Sequence, residues 1–168
     1  EHRNTEAVAK LLREALVTGS LEHPNIIPVH ALGRDEAGGP LLAMKLVEGV
    51  PWTDVIRDAD HPIRQADGRD HLSFHIAVLE SVCRAIQYAH SKQIIHRDLK
   101  PDNVMIGKFG EVYVLDWGIA VSLVDDGTGT LPLASDSQGA AGSPAYMAPE
   151  MIQDGAGDLN EQTDVYLL

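Results

Sequence analysis

At 168 residues, 44% of them hydrophobic, the chain is long enough for one domain with a real core and too apolar for general disorder. A formal charge of -12, from 25 acidic against 13 basic residues, argues against a nucleic-acid or anionic-membrane surface, which rewards Lys and Arg, and points to cations and proteins as partners. The single cysteine, Cys83, excludes an internal disulfide and reads as a small buried apolar residue in a reducing cytoplasm.

From Thr5 to Thr18, the residues Val8, Leu11, Leu12, Ala15 and Leu16 recur at helical spacing, with Thr5 the expected cap. Ile27 to Gly33 and Leu41 to Val47 read as two strands of a hairpin around the turn-rich stretch Arg34 to Pro40. Pro51 to Ala59 can form a short helix. Asp60 to His71 is polar and carries only the turn signals His61-Pro62 and Asp67-Gly68. Ser73 is the expected cap of a long helix whose stripe of Ile76, Leu79, Cys83, Ile86 and His90 predicts a core face. His61, His71, His75 and His90 show no metal-ligand spacing with cysteine, so no histidine metal site is expected. Val104 to Ile106 and Val112 to Leu115 flank Gly107-Lys108-Phe109-Gly110 as a second hairpin, which predicts Asn103 and Asp116 close together. Val124 to Ala141, rich in Gly, Ser, Thr and Asp, predicts a mobile loop. There are no internal repeats. A run of about 18 apolar residues, a secretory leader and an initiating methionine are all absent, so the expectation is a cytoplasmic segment of something longer.

The chemistry concentrates in His96-Arg97-Asp98-Leu99-Lys100-Pro101-Asp102-Asn103, which sets a carboxylate, an ammonium and a carboxamide at fixed offsets between two apolar runs. Asp98 can accept the proton of an attacking hydroxyl, Lys100 can offset charge on a moving phosphoryl group, and Asn103 can offer an oxygen to a hard cation such as magnesium. Further on come Asp116-Trp117-Gly118, then Gly142 to Glu150 ending in Ala148-Pro149-Glu150, then Asp164-Val165-Tyr166. In this order the four stretches resemble the H-R-D-L-x-x-x-N loop, the D-F-G and A-P-E motifs and the start of the central helix of eukaryotic-type (Hanks-type) serine/threonine protein kinases, in a bacterial-like form.

That resemblance implies an α+β, two-lobe kinase-like fold in truncated form, with residues 1–47 a partial small lobe and 48–168 a partial large lobe. It implies ATP and Mg2+ as cofactors, with Asp98 the catalytic base or hydroxyl-orienting group, Lys100 neutralising the transferred phosphate, and Asn103 with Asp116 holding the metal. Glu14, followed by His23-Pro24-Asn25-Ile26-Ile27, resembles the helix glutamate that pairs with the ATP-contacting lysine; a solvated surface glutamate is the other reading. Met44 to Gly49 resembles the hinge, with Met44 the gatekeeper, backbone groups of Lys45 and Val47 bonding adenine, and the Lys45 side chain solvated. Met105 either floors the adenine pocket or packs in the core. Lys100, two residues past Asp98, follows the serine/threonine branch, and Ser143 stands where a hydroxyl bonds both Asp98 and Lys100. Trp117 replaces the usual Phe and adds an indole donor that needs a partner. Glu150 would pair with an arginine beyond residue 168. Arg97 resembles the arginine neutralised by a loop phosphate, which points to Ser135 or Ser137, with Thr128 and Thr130 in reserve; an ordinary structural ion pair is the alternative.

The family's G-x-G-x-x-G-x-V loop and V-A-I-K lysine do not occur before Glu14, and Leu168 falls inside the central helix. The expectation is therefore the middle of a kinase domain, inactive as an isolated segment. Two functions remain open: an ATP-dependent kinase acting on Ser/Thr hydroxyls of proteins, or a non-catalytic pseudokinase scaffold. The intact Asp98, Lys100, Asn103 and Asp116 favour the kinase, because a scaffold has no need for that charge constellation, which is costly to bring together. A membrane anchor is possible only outside this segment, and nucleic acid is not an expected partner.

Overall fold

Helix α1 (His2–Ser20) opens the chain in the computed structural model, which describes residues 2–127, 129–137, 140–152 and 159–168, with side chains from Val8 onward. The helix begins before Thr5, so Thr5 lies inside it and does not cap it. Its buried side is Ala15, Val17 and Thr18, continued by Leu21, while Leu16 is 47% exposed. The stripe expected from spacing is thus only half-buried, because α1 packs along one side on the strands β1 (Val29–Arg34) and β2 (Pro40–Met44).

These two strands form the expected antiparallel hairpin, with Leu32 opposite Leu42. Asp35 closes the turn: its Oδ1 accepts from the N–H groups of Ala37 (2.9 Å) and Gly39 (2.7 Å), an Asp turn that replaces missing ladder bonds. The second strand ends at Met44, not Val47. Lys45 N–H still donates to Pro28 O at 3.0 Å, and residues 45–48 then run on outside any ladder.

A second sheet follows, of order β3-β5-β6, built from β3 (Gly49–Pro51), β5 (Val104–Gly107) and β6 (Val112–Val114), all antiparallel. Its β5–β6 arm is the hairpin expected from sequence, with Ile106 opposite Val112. Gly49 is required: a Cβ there would overlap the Ile106 carbonyl.

Helix α2 (Trp52–Arg57) matches its expectation, but α3 (Pro62–Asp67) falls in the stretch the sequence left blank. Its signals are local: the His61 ring accepts from Ile63 N–H, Pro62 stands at the helix start, and Gly68 ends it at φ 79°. Helix α4 (His71–Ser91) is capped by Asp70, whose Oδ1 accepts from Ser73 N–H at 3.0 Å. Its buried face is Phe74, Val78, Val82, Ala85, Ile86 and Ala89, whereas Ile76 is 54% exposed and Cys83 is exposed. Two apolar stripes share this helix at the same period, and packing against β4 (Ile94–Ile95) and β6 selects the one that carries Phe74. Cys83 is therefore not the core residue expected.

Strand β4 pairs antiparallel with β7 (Val121–Ser122), bracketing the loop between them. The region expected to be a mobile loop is pinned in its described part. Ser122 N–H donates to Pro132 O at 2.9 Å, and a short turn at Ala134–Asp136 buries Ala134. Helices α5 (Pro149–Ile152) and α6 (Glu161–Leu167) close the chain, and α6 starts on a capping box between Asn160 and Thr163. One core cluster runs from Val17 and Ile26 through Val82, Ile95 and Val114 to Trp117, whose side chain is fully enclosed. No helix among the described residues is long and apolar enough to cross a membrane.

Candidate active site

The loop from His96 to Asn103 leaves β4 with two residues whose amides are claimed by one carboxylate. Asp164, fully buried on α6, accepts from His96 N–H at 2.8 Å and Arg97 N–H at 2.9 Å, and its Oδ2 lies 2.9 Å from His90 Nε2. Arg97 has φ 70°, a left-handed conformation costly for a residue with a side chain. Adjacent amides converging on one anion compensate that strain.

His96 has one consistent tautomer. Its Nδ1 accepts from Asp98 N–H at 3.1 Å, so Nε2 carries the proton and donates to Leu115 O at 3.0 Å. Complete burial pushes the ring's pKa down, against the opposing pull of Asp164, and keeps it neutral. His96 thus ties the loop to the strand end that carries Asp116, and its ring packs 4.5 Å from that of Trp117.

Asp98 sits half-buried among three donors. Its Oδ2 accepts from Lys100 Nζ and Asn103 Nδ2, both at 3.0 Å, and its Oδ1 accepts from Ser143 Oγ at 2.8 Å. Lys100 also donates to Ser143 Oγ. Burial raises the Asp98 pKa, but the bonds from Lys100, Ser143 and Asn103 and the lysine's charge outweigh it, and the carboxyl stands below the usual range. Asn103 spends its amide hydrogens on the Asp98 carbonyl (2.8 Å) and carboxylate, so its oxygen is not consumed there.

The hairpin brings Asn103 and Asp116 together, with Leu115 N–H donating to Asn103 O at 2.9 Å. Both line a cavity of about 460 Å³ that also takes in Glu14, Met44, Lys10 and Ile27. One carboxylate and one carboxamide oxygen at a cavity wall fit magnesium, which takes one or two protein oxygens and completes its shell with water and phosphate. The described residues contain no cluster of three or more His, Cys, Asp or Glu side chains that could cage a metal alone. Burial and the nearby Asp116 charge raise the Glu14 pKa, while Lys10 lowers it, so Glu14 is no freely solvated surface residue.

Lys45, Val47 and Met105 do not line this cavity. Lys45 and Val47 border a neighbouring one of about 230 Å³ with Leu46 and Tyr113. The Lys45 side chain is not solvated as expected: it donates to Tyr113 Oη with its ammonium 4.5 Å from the ring centroid, because buried Tyr113 offers both an acceptor and a π face within reach. Met105 is half-buried in β5, opposite Tyr113. The Trp117 indole N–H is buried without a partner among the described residues. Glu150 accepts from Thr163 Oγ1 at 2.7 Å. Arg97 extends one guanidinium nitrogen to 3.5 Å from Ser137 Oγ and its Nε has no partner among the described residues, while Ser135 and Thr130 are exposed and Thr128 lies outside the described residues. Sequence reasoning missed Asp164, His90 and Lys10 as parts of the site. Asp164 stood out in the sequence only as part of the Asp164-Val165-Tyr166 landmark, among the polar residues that open α6.

The protein kinase domain family model matches residues 1–168. The serine/threonine-protein kinase PknD of Protochlamydia amoebophila is 36% identical over 175 residues, covering 95% of this chain and 17% of that protein. PknD of Chlamydia trachomatis serovar D is 29% identical over 181 residues, covering 95% of this chain and 19% of its own length. PknD of Chlamydia abortus is 31% identical over 173 residues, covering 95% and 18%. The chain thus spans less than a fifth of the length of these curated relatives.

Proposed function

The chain belongs to the protein kinase domain family, and from that premise we propose that it forms the phosphoryl-transfer centre of an ATP-dependent protein serine/threonine kinase. The observation that carries this reading is the unequal loading of the Asp98 carboxylate. Oδ2 accepts two hydrogen bonds and Oδ1 one, from Ser143, which leaves Oδ1 a lone pair for the hydroxyl of a Ser or Thr substrate. With its pKa held low, Asp98 is an anion that orients the hydroxyl and receives its proton as the oxygen bonds to the γ-phosphorus and the bond from that phosphorus to the β–γ bridging oxygen breaks, releasing ADP.

Lys100 spends two of its three ammonium hydrogens on Asp98 and Ser143 and directs the third at the transferred group. Asn103 and Asp116 would hold magnesium, which when bound supplies charge neutralisation on the ATP phosphates. Met44 walls the nucleotide cavity. Lys45 and Val47 border the other cavity, so adenine would have to extend past Met44 to reach them; because Lys45 N–H is bonded to Pro28, the Lys45 carbonyl and the Val47 backbone are its partners in this reading. Met105 packs beneath them, and Glu14 is the anchor for an ATP-contacting lysine. The buried charged set and the ordered loop support a kinase over a scaffold, since a scaffold gains nothing from burying Asp98 beside Lys100.

A loop phosphate is the regulatory part of the proposal. Ser137 is favoured over Ser135 because its hydroxyl already faces Arg97, whose Nε, without a partner among the described residues, would gain a charge-assisted bond. The test is transfer from γ-labelled ATP to protein by the full-length protein, with phosphoamino-acid analysis. Label on Ser or Thr, lost in Asp116→Asn, supports the reading; label on Tyr, or none with ATP bound, overturns it.

A further inference from the structure

Lys10 belongs to none of the motifs above and takes no part in the transfer just described. Its ammonium nevertheless spans the Asp116 carboxylate, 3.1 Å from Oδ1 and 3.2 Å from Oδ2. Its stem crosses Gly118 so closely that a Cβ at 118 would overlap it, so the glycine makes the approach possible. Arg13, on the next turn of α1, reaches Gly118 O at 3.4 Å. Helix α1 therefore holds the Asp116–Gly118 segment at two points, one of them through the oxygens a cation would need. Glu14 lines the same cavity one turn past Lys10, and the two carboxylates repel across it. Asp116 itself is strained, at φ 55°.

We propose that Lys10 is an internal counter-cation that a divalent cation has to displace from Asp116, so that Lys10 sets the cation affinity of the site. This rests on the proposed function, which makes Asp116 a metal ligand. The physical reason is competition for the same lone pairs: a metal in direct contact with a carboxylate oxygen and an ammonium bonded to that oxygen repel each other at such separations. The Lys10 side chain is 48% exposed, so it has an exit to solvent, and Glu14 at i+4 is a second partner on the same helix face. Exposed ion pairs are weak, so the competition weakens cation binding by about two- to fivefold.

The test titrates Mn2+ into the full-length protein with ADP present and reads free Mn2+ by electron paramagnetic resonance. Lys10→Met, which keeps the apolar stem, should bind Mn2+ about two- to fivefold more tightly. Lys10→Arg, which keeps the charge, should match the wild type. Unchanged or weaker binding in Lys10→Met overturns the proposal, the weaker result assigning Lys10 the task of positioning Asp116. If Lys10→Met does not melt cooperatively, Lys10→Gln is read by the same criterion. Asp116→Asn separates the two layers of the argument. If it binds Mn2+ as well as the wild type, the metal-ligand reading fails and Lys10 with it. If it loses binding while Lys10→Met changes nothing, the Lys10 proposal alone fails.

Discussion

Between His96 and Asn103 the His96 and Arg97 amides, the His96 ring and the Asp98 carboxylate are held by Asp164 on α6, Leu115 just past β6 and Ser143. Segment 45–48, the hinge in the proposed reading, is fixed differently, by the Lys45 contact with Tyr113 at one end and by Lys108 N–H donating to Glu48 O at 2.9 Å at the other, with Leu46 between them 85% exposed. The first region is over-determined, so it can hold a strained Arg97 and an anionic Asp98 ready before substrate arrives. The second rests on few contacts, so a change there should move nucleotide affinity modestly and leave the chemical step nearly unchanged.

The largest expected effect comes from removing the buried support of the first region. Asp164→Ala strips two backbone amides and His90 of their acceptor at a fully buried site and should destabilise the fold by about 3–5 kcal/mol, with activity lost. Denaturant midpoints measure it, and a loss under about 1 kcal/mol would show that the loop holds itself.

A smaller effect is expected within the site. Ser143→Ala removes one of the bonds that keep the Asp98 pKa low and should reduce kcat about tenfold, the worth of one hydrogen bond to a charged group. The sign in pH follows from the depressed pKa. Asp98 ionisation stabilises the fold above its unfolded pKa, and that contribution is lost as pH falls through the lower folded value. In the variant the folded pKa rises, so the acid limb of kcat/KM should move to higher pH. A pH–rate profile that keeps the wild-type acid limb would mean Ser143 does not tune Asp98.

The smallest effect tests the second region. Tyr113→Phe keeps the buried ring and the cation–π contact but removes the acceptor of the Lys45 ammonium. KM for ATP should rise about two- to fivefold, as expected for one partly exposed bond, with kcat nearly unchanged. A fall in kcat at constant KM would place Tyr113 in the chemistry and erase the contrast between the regions.

Legibility in the sequence follows the same division. Asp98, Lys100 and Asn103 could be read because their offsets lie within one loop, and the β5–β6 hairpin because its turn is local. Asp164 could not be given its task, since its partners lie 68 and 67 residues away and no local pattern links them. The face of α4 was misread because two stripes of equal period compete and only packing separates them. The Lys45 tether depends on a tyrosine 68 residues along the chain. Lys10 belongs to no local pattern, and only the fold sets it over Gly118.

The central claim is that Asp98 acts on the substrate hydroxyl and not on the nucleotide. Asp98→Asn in the full-length protein, with phosphate incorporation and nucleotide affinity measured on the same preparation, tests it most directly. The account predicts transfer reduced by at least about a hundredfold, the low end of what a positioned base contributes, with ATP affinity within about twofold of wild type. Equal phosphate incorporation by variant and wild type would contradict it.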